Sequence, residues 1–321
     1  MKLVKMFLLA GMLVMAGFGI VRCEGIIYHV EKIPYGGYLP QNKLTVVASF
    51  DGSYNLKRWE DILSFARENS IKFTFFISGV YFVPRPDKDT YVYPPNPLER
   101  GISDIGFGDS TGDVAIREQD VLKAIKMGHD VESHLNGHFD GTRWTEDAWR
   151  REFQEFNSIC SFLPIPVRHV RFPLLAYNNK VFPVLAEFGI RSVTSVVEND
   201  YENFNRITID YKGKPYTFLE FPIAYEHENK SKILLMDYNF YLYDESHHID
   251  PEKSKDDMMK MYLDEAERAF KDKRPFFISH HFSNWNHAAY WDAMKQVLLA
   301  VKQKYSVEFI TVSELYDLLN K

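Results

Sequence analysis

Two histidines stand four residues apart in Glu132-Ser133-His134-Leu135-Asn136-Gly137-His138, downstream of an apolar run that ends Ser49-Phe50-Asp51-Gly52. Two imidazoles and one carboxylate make a facial set for a divalent ion, zinc first, with a position open for water. Water on such an ion becomes a hydroxide near neutral pH, the reagent of a hydrolase. The same spacing also suits two loop histidines in ordinary hydrogen bonds. On a helix the pair shares one face, but Asn136-Gly137 makes a tight loop at least as good a reading. Asp51 is the first choice for the third ligand, or it is the general base. Gly52 permits the sharp turn that follows it, and an Asp at a strand-to-helix turn also serves as a helix cap.

Three later residues carry further chemistry. Arg171, in Arg171-Phe172-Pro173, can fix a carboxylate by a two-pronged contact; the plainer reading is a surface arginine. Asp237 ends the apolar run Ile233-Leu234-Leu235-Met236, where an acid has to be paired or solvated. His281 can serve as a general acid in a tautomer set by Asp237, while His280 faces elsewhere on an extended chain. These three have no spacing signature of their own. Gly106-Phe107-Gly108 is too short for a nucleotide-binding loop, and no serine stands in a nucleophile elbow.

The elements that must position these residues alternate. Leu44–Phe50 reads as a strand, Trp59, Ile62, Leu63 and Ala66 mark one face of a helix, and Ile71–Ile77 is again strand-like. Strand, helix, strand points to parallel βα units. Residues 84–112 are rich in Pro, Gly and Asp, a long loop that is either functional or a surface insertion. Its Tyr91, Tyr93, Asp104, Phe107 and Asp109 are candidates to line a sugar cleft. Asp113 reads as a helix cap and Gly128 as that helix's stop. A helix with Trp149, Phe153 and Phe156 inward follows, then a short strand at 170–172, a helix at 181–188 and a strand at 190–197. The C-terminal third reads as a helix over 251–270, a strand over 275–279, a helix over 290–301, a strand over 307–311 and a closing helix. The candidate residues fall just after strands, where barrels and open α/β sheets keep their sites.

A chain of 321 residues with 45% hydrophobic residues, 25 Phe and 19 Tyr can bury a large α/β core. The formal charge of -6 and the lack of a basic tract exclude a nucleic-acid partner. Met1-Lys2-Leu3-Val4-Lys5 followed by an apolar run to about Val21 reads as an export signal. Cleavage is expected near Cys23 or Glu24. Residues 24–321 then form a single catalytic domain of a protein that is secreted, periplasmic or held in the cell envelope, and monomeric. Only Cys160 remains after cleavage, so neither disulfides nor a cysteine metal set hold the fold.

Taken in order, the motifs resemble the polysaccharide deacetylase family, also called the NodB-homology or carbohydrate esterase 4 family. Its opening Thr-Phe-Asp-Asp-Gly appears as Ser49-Phe50-Asp51-Gly52-Ser53, and its His-Ser/Thr-x-x-His as His134-Leu135-Asn136-Gly137-His138. Its Arg-x-Pro is Arg171-Phe172-Pro173, its later acidic motif falls at Asp237, and its final Leu-x-His corresponds to Ser279-His280-His281. The resemblance runs from about Leu44 to Thr311. It implies a distorted, incomplete (β/α) barrel, a divalent metal that is usually zinc, and an acetylated polysaccharide or oligosaccharide as partner. It implies no nucleotide. The bond is the amide of an N-acetylglucosamine polymer such as peptidoglycan, or the ester of acetylated xylan. By the family pattern the first Asp is the base, the second Asp holds the metal with the two histidines, and the late histidine protonates the leaving group.

This chain departs from that pattern at Gly52, where the second Asp is missing. Asp51 then binds the metal, leaving the base to Asp104 or Asp109, or Asp51 stays the base beside a metal with two protein ligands. The third alternative is an inactive glycan-binding relative. Hydrolysis of a small amide is a further class open to related folds.

Overall fold

A computed structural model describes residues 19–23, 26–197, 201–224 and 234–321. The export signal expected over 1–23 lies outside these residues except for its last five, which form a strand. In chain order the strands and helices are β1 (Gly19–Cys23), β2 (Ile26–Pro34), β3 (Leu44–Asp51), α1 (Leu56–Asn69), β4 (Thr74–Ile77), α2 (Thr111–Lys126), β5 (Asp130–Ser133) and α3 (Glu146–Ile159). There follow β6 (His169–Val170), α4 (Phe182–Phe188), β7 (Ser192–Val197), β8 (Asn203–Tyr211), β9 (Lys214–Ile223) and α5 (Asp237–His247). The chain ends with α6 (Pro251–Asp272), β10 (Phe276–His281), α7 (Ala289–Lys304), β11 (Val307–Phe309) and α8 (Val312–Leu319). Among the described residues, no helix is long and apolar enough to cross a membrane.

The strands lie side by side in the order β1-β2-β8-β9-β7-β6-β5-β4-β3-β10, with β11 on the first half of β3. The segment β7-β6-β5-β4-β3-β10 is parallel throughout. The ends of the sheet do not meet, so the barrel is distorted and incomplete. β3 is buried at every position, the continuous apolar run expected of a parallel strand covered on both faces. Phe50, Phe73, Phe75, Trp59, Phe282 and Trp291 pack edge to face and tilted beneath the site, a geometry that the ring quadrupoles favour.

Sequence and structure differ in several places. β2, β8 and β9 form an antiparallel extension where only alternating strands and helices were expected. Its β8–β9 turn puts Lys212 and Gly213 both at positive φ, the backbone a two-residue hairpin turn needs. The helix expected to be capped by Asp113 is capped by Ser110, whose hydroxyl accepts the Asp113 N–H. Residues 84–112 are not a loose loop. Tyr91 and Phe107 are buried, and the segment is tied at both ends by a bridge between Pro84 and Gly108.

Candidate active site

The candidate residues converge because of strand register. β10 pairs with β3 so that His281 lies opposite Asp51. β5 ends at Ser133, which pairs with Ile77 on one side and Val170 on the other. His134 and Arg171 therefore leave neighbouring strands at the same level. All four sit at C-terminal strand ends, the functional rim of a parallel sheet.

Arg171 is buried, not a surface residue, and ties two of them together. Its Nη1 donates to Asp51 Oδ1 at 2.8 Å and to Ser49 Oγ at 3.0 Å, and its Nε donates to Thr194 Oγ1 at 3.0 Å. The side chains of Arg171 and Asp51 are 1% and 2% exposed. The main-chain carbonyl of Arg171 accepts the His134 Nδ1 proton at 2.7 Å. A carbonyl can only accept, so Nδ1 carries the proton and Nε2 keeps its lone pair. That is the arrangement that orients a metal-binding imidazole. The ring centroids of His134 and His138 are 5.3 Å apart. Burial holds both imidazoles below the usual histidine range, His138 down to about 3, although the Asp51 charge pulls each the other way. Both are therefore neutral at ordinary pH, the state in which imidazole ligates.

The donor chemistry of this pair suits two positions of a divalent ion. The third is another matter. Asp51 was the expected ligand, and its Oδ1 is engaged by Arg171. Gly52 stands at φ +85° with no side chain to offer. Among the described residues, no group of three His, Cys, Asp or Glu is placed to hold a metal. The second-choice carboxylates separate: Asp104 lines the same cavity, whereas Asp109 is bound to Tyr54 and Arg85.

His281 and Asp237 form a second unit. The Asp237 carboxylate accepts the His281 Nδ1 proton at 2.6 Å and the His281 main-chain N–H at 3.0 Å. Burial works against the charge on His281, but the Asp237 carboxylate and its hydrogen bond outweigh it, so the pKa stands above the ordinary histidine value. Burial likewise works against the Asp237 charge, and the two neighbouring imidazoles and the bonds from His281 keep its pKa low. His280 does not line the cavity, but its Nδ1 lies 3.7 Å from Asp237 Oδ2. It contacts the Tyr262 hydroxyl at 3.3 Å, and burial lowers its pKa to about 4.

The loop between the two histidines is braced from below. Glu152, buried on α3, accepts the Asn136 main-chain N–H at 2.8 Å and the Tyr91 hydroxyl at 2.7 Å. Asn136 Nδ2 returns a bond to the Glu152 carbonyl at 2.9 Å. The main-chain N–H of Asp104 donates to Gly137 at 2.9 Å. The 84–112 segment thus grips the histidine loop. Its Tyr91 and Phe107 are core, against the expectation that they line a sugar cleft.

Asp51, His134, His138 and His281 face one cavity of about 570 Å³. Aliphatic residues such as Leu174, Leu175 and Met236 and aromatic residues such as Tyr54, Tyr81, Tyr238 and Trp285 line it together. Neither Tyr238 nor Trp285 was among the residues expected at the site. Three non-glycine residues that line this cavity, His138, Leu174 and Leu175, stand at positive φ. Such backbone costs roughly 1–3 kcal/mol each and persists where the surroundings over-determine it.

A family model described as polysaccharide deacetylase matches residues 39–193. That portion carries Asp51, His134, His138 and Arg171 and is similar to the polysaccharide deacetylase family. Asp237 and His281 lie beyond the match. Among solved structures, a putative polysaccharide deacetylase from Mycobacterium smegmatis is 14% identical, with a TM-score of 0.59 over 87% of this chain and 90% of that one. The peptidoglycan deacetylase PdaC from Bacillus subtilis is 14% identical, with a TM-score of 0.49 over 88% and 94%. A CE4 family pseudoenzyme from Bacillus anthracis is 13% identical, with a TM-score of 0.48 over 87% and 67%. The first of these supports the fold. No curated protein matches the chain in sequence.

Proposed function

We propose that the chain is an exported deacetylase that hydrolyses acetyl groups on a glycan. The observation that carries this reading is the pairing of two oriented units across one cavity: Asp51 held by Arg171, and His281 held by Asp237. Deacetylation needs a base that takes a proton from water and an acid that gives one to the leaving amine or alkoxide. Asp51 is the base, its carboxylate aimed by the Arg171 guanidinium. His281 is the acid, and Asp237 stabilises its protonated form. His134 and His138 would hold a divalent metal, zinc first, which when bound supplies Lewis acidity and an acidified water. The Arg171 pairing supports Asp51 as base over Asp51 as third ligand.

The test is acetate release by the folded protein from chitooligosaccharides, peptidoglycan and acetylated xylan, with added Zn²⁺ and after chelation. Release from one of them, lost on chelation and regained with metal, is the expected result. Gly52 favours one competing reading, a glycan-binding protein without catalysis. Binding that needs no metal, with no acetate released from any substrate, would establish that reading instead.

The His281–Asp237 pair sets a pH dependence. His281 must be protonated to act, so activity falls as pH rises through its pKa, which stands above the ordinary value. Asp237→Asn removes the charge that raises it. The alkaline limb of kcat/KM should then move to lower pH, and a limb that stays in place would remove His281 from the role of acid.

A further inference from the structure

The carboxylate behind the acid is only partly satisfied by the acid. Asp237 is 2% exposed. Its Oδ1 accepts the His281 Nδ1 proton at 2.6 Å and the Tyr238 main-chain N–H at 2.9 Å. Its Oδ2 accepts the His281 main-chain N–H at 3.0 Å. A buried carboxylate oxygen has room for a second donor and has left water behind. Water does not supply that donor. The space that Asp237 encloses with His280, Arg58 and Trp291 is too small for a water molecule. The partner left to Oδ2 is His280 Nδ1, at 3.7 Å. That is longer than a hydrogen bond, so charge and dipole carry the contact.

His280 is 1% exposed, and burial keeps it neutral at ordinary pH, with one N–H. Its Nε2 lies 3.3 Å from the Tyr262 hydroxyl, which lies 3.3 Å from the Leu235 carbonyl. One imidazole proton and one hydroxyl proton therefore serve three contacts. If the hydroxyl donates to Leu235, Nε2 must hold the imidazole proton. The bare Nδ1 then turns a lone pair on a buried carboxylate. If the hydroxyl donates to Nε2, the proton sits on Nδ1 and points at Asp237. A low local dielectric magnifies the difference between the two. The second arrangement wins, and its cost is a bond to Leu235 that is already long.

Resting on the deacetylase reading above, we propose that His280 is a positioning residue for the acid. Its Nδ1–H faces Asp237 Oδ2, keeps the carboxylate in line with His281 and draws off part of its charge. An acid must release its proton as well as hold it. Asp237 alone would hold the His281 proton more firmly than the transfer needs, and sharing the carboxylate with His280 loosens that hold.

Other charged and titratable groups also bear on this pair. Asp51, Arg171, His134 and His138 act on His281 from the strand ends, and the Tyr238 ring lies beside it. Arg58 from α1, Tyr262 from α6 and Tyr290 from α7 stand behind Asp237 with His280. The test therefore changes His280 alone. Two-bond ¹H–¹⁵N spectra of the zinc-loaded protein, labelled at histidine nitrogen, read which ring nitrogen carries the proton. The signal lost in His280→Asn identifies the residue. His280 should stay neutral with its proton on Nδ1 from about pH 6 to about pH 9. His280→Phe fills the space without an N–H. The alkaline limb of kcat/KM should then move up by about half a pH unit, a roughly threefold rise in the proton affinity of His281. His280→Asn, which keeps a side-chain N–H, should return the limb toward its original place. The spectra use the unsubstituted protein, so a misfolded variant leaves that arm intact. A proton on Nε2, or a limb that stays in place in His280→Phe, or one that moves equally in Phe and Asn, would overturn the proposal while acetate release still upheld the deacetylase. A proton on Nδ1 in a protein that releases no acetate from any substrate would uphold the His280–Asp237 contact and overturn the deacetylase.

Discussion

Asp51→Asn is expected to lower acetate release by about 10²–10⁴-fold, the usual worth of a positioned general base. Asn is nearly the same size and can still accept one Arg171 bond, so the geometry of the β3 end persists. What it cannot do is take a proton. The Asp51 carboxylate is 2% exposed and its Oδ1 is held at 2.8 Å by Arg171. It is thus aimed before substrate arrives. The same variant separates the two roles left open by Gly52. As a base near the metal, Asp51 behaves as an outer partner, and zinc affinity falls by no more than about 10–100-fold. Complete loss of zinc binding, measured by competition with a chelating dye, would make Asp51 a ligand and send the search for the base to Asp104.

Arg171→Met is expected to cost about 3–5 kcal/mol of stability, because it strands a buried carboxylate. Nothing else near Asp51 offsets that charge as directly. Asp51 itself sits at the end of the fully buried strand β3. Urea unfolding should show a lower midpoint with the slope unchanged. Arg171→Lys tests geometry apart from charge. One ammonium cannot reach Asp51, Ser49 and Thr194 together as the guanidinium fork does. Lys should therefore recover part of the stability and little of the activity. A midpoint equal to wild type in Arg171→Met would mean that the buried pair is not formed.

The site was largely legible in the sequence because strand ends are legible. A run such as Leu44–Phe50 declares where its strand stops, and the next polar residue is the one on the rim. That logic reached Asp51; His134 and His138 stood out by their spacing, and Arg171, Asp237 and His281 only by the order of the motifs, since no strand was expected before His134, and Arg171 read more plainly as a surface residue. It failed where local signals conflict with packing. α5 went unseen because Asp237-Tyr238-Asn239-Phe240-Tyr241 shows no clear polar face. Among its aromatic and aliphatic residues only Phe240 is buried, Tyr238 and Leu242 are exposed, and no side chain caps its start. Tyr238 and Tyr241 ride on that helix and were missed with it. The β8–β9 hairpin did leave a signal, the Gly at the second turn position between alternating strands. The 84–112 segment misled for a different reason: Pro, Gly and Asp mark irregular backbone, but irregular is not loose. Tyr91 buries its ring and gives its hydroxyl to Glu152, a contact no periodicity encodes.

That contact constrains how this lineage can change its diet. Rim loops of α/β enzymes are commonly traded between relatives to alter what they take in, because the scaffold does not feel the exchange. Here the 84–112 segment fills one oxygen of the Glu152 carboxylate whose other oxygen holds Asn136 between the two histidines. Replacing the segment would leave a buried acid half-satisfied beneath the reaction centre. The α5 side is held through its inward Asp237 and Asp244, which bond His281 and Tyr290, while Leu242 faces outward and is 48% exposed. Under the proposed function, outward positions such as Leu242 are therefore free to vary, while the opposite lip is inherited whole or lost together with the histidine loop it supports.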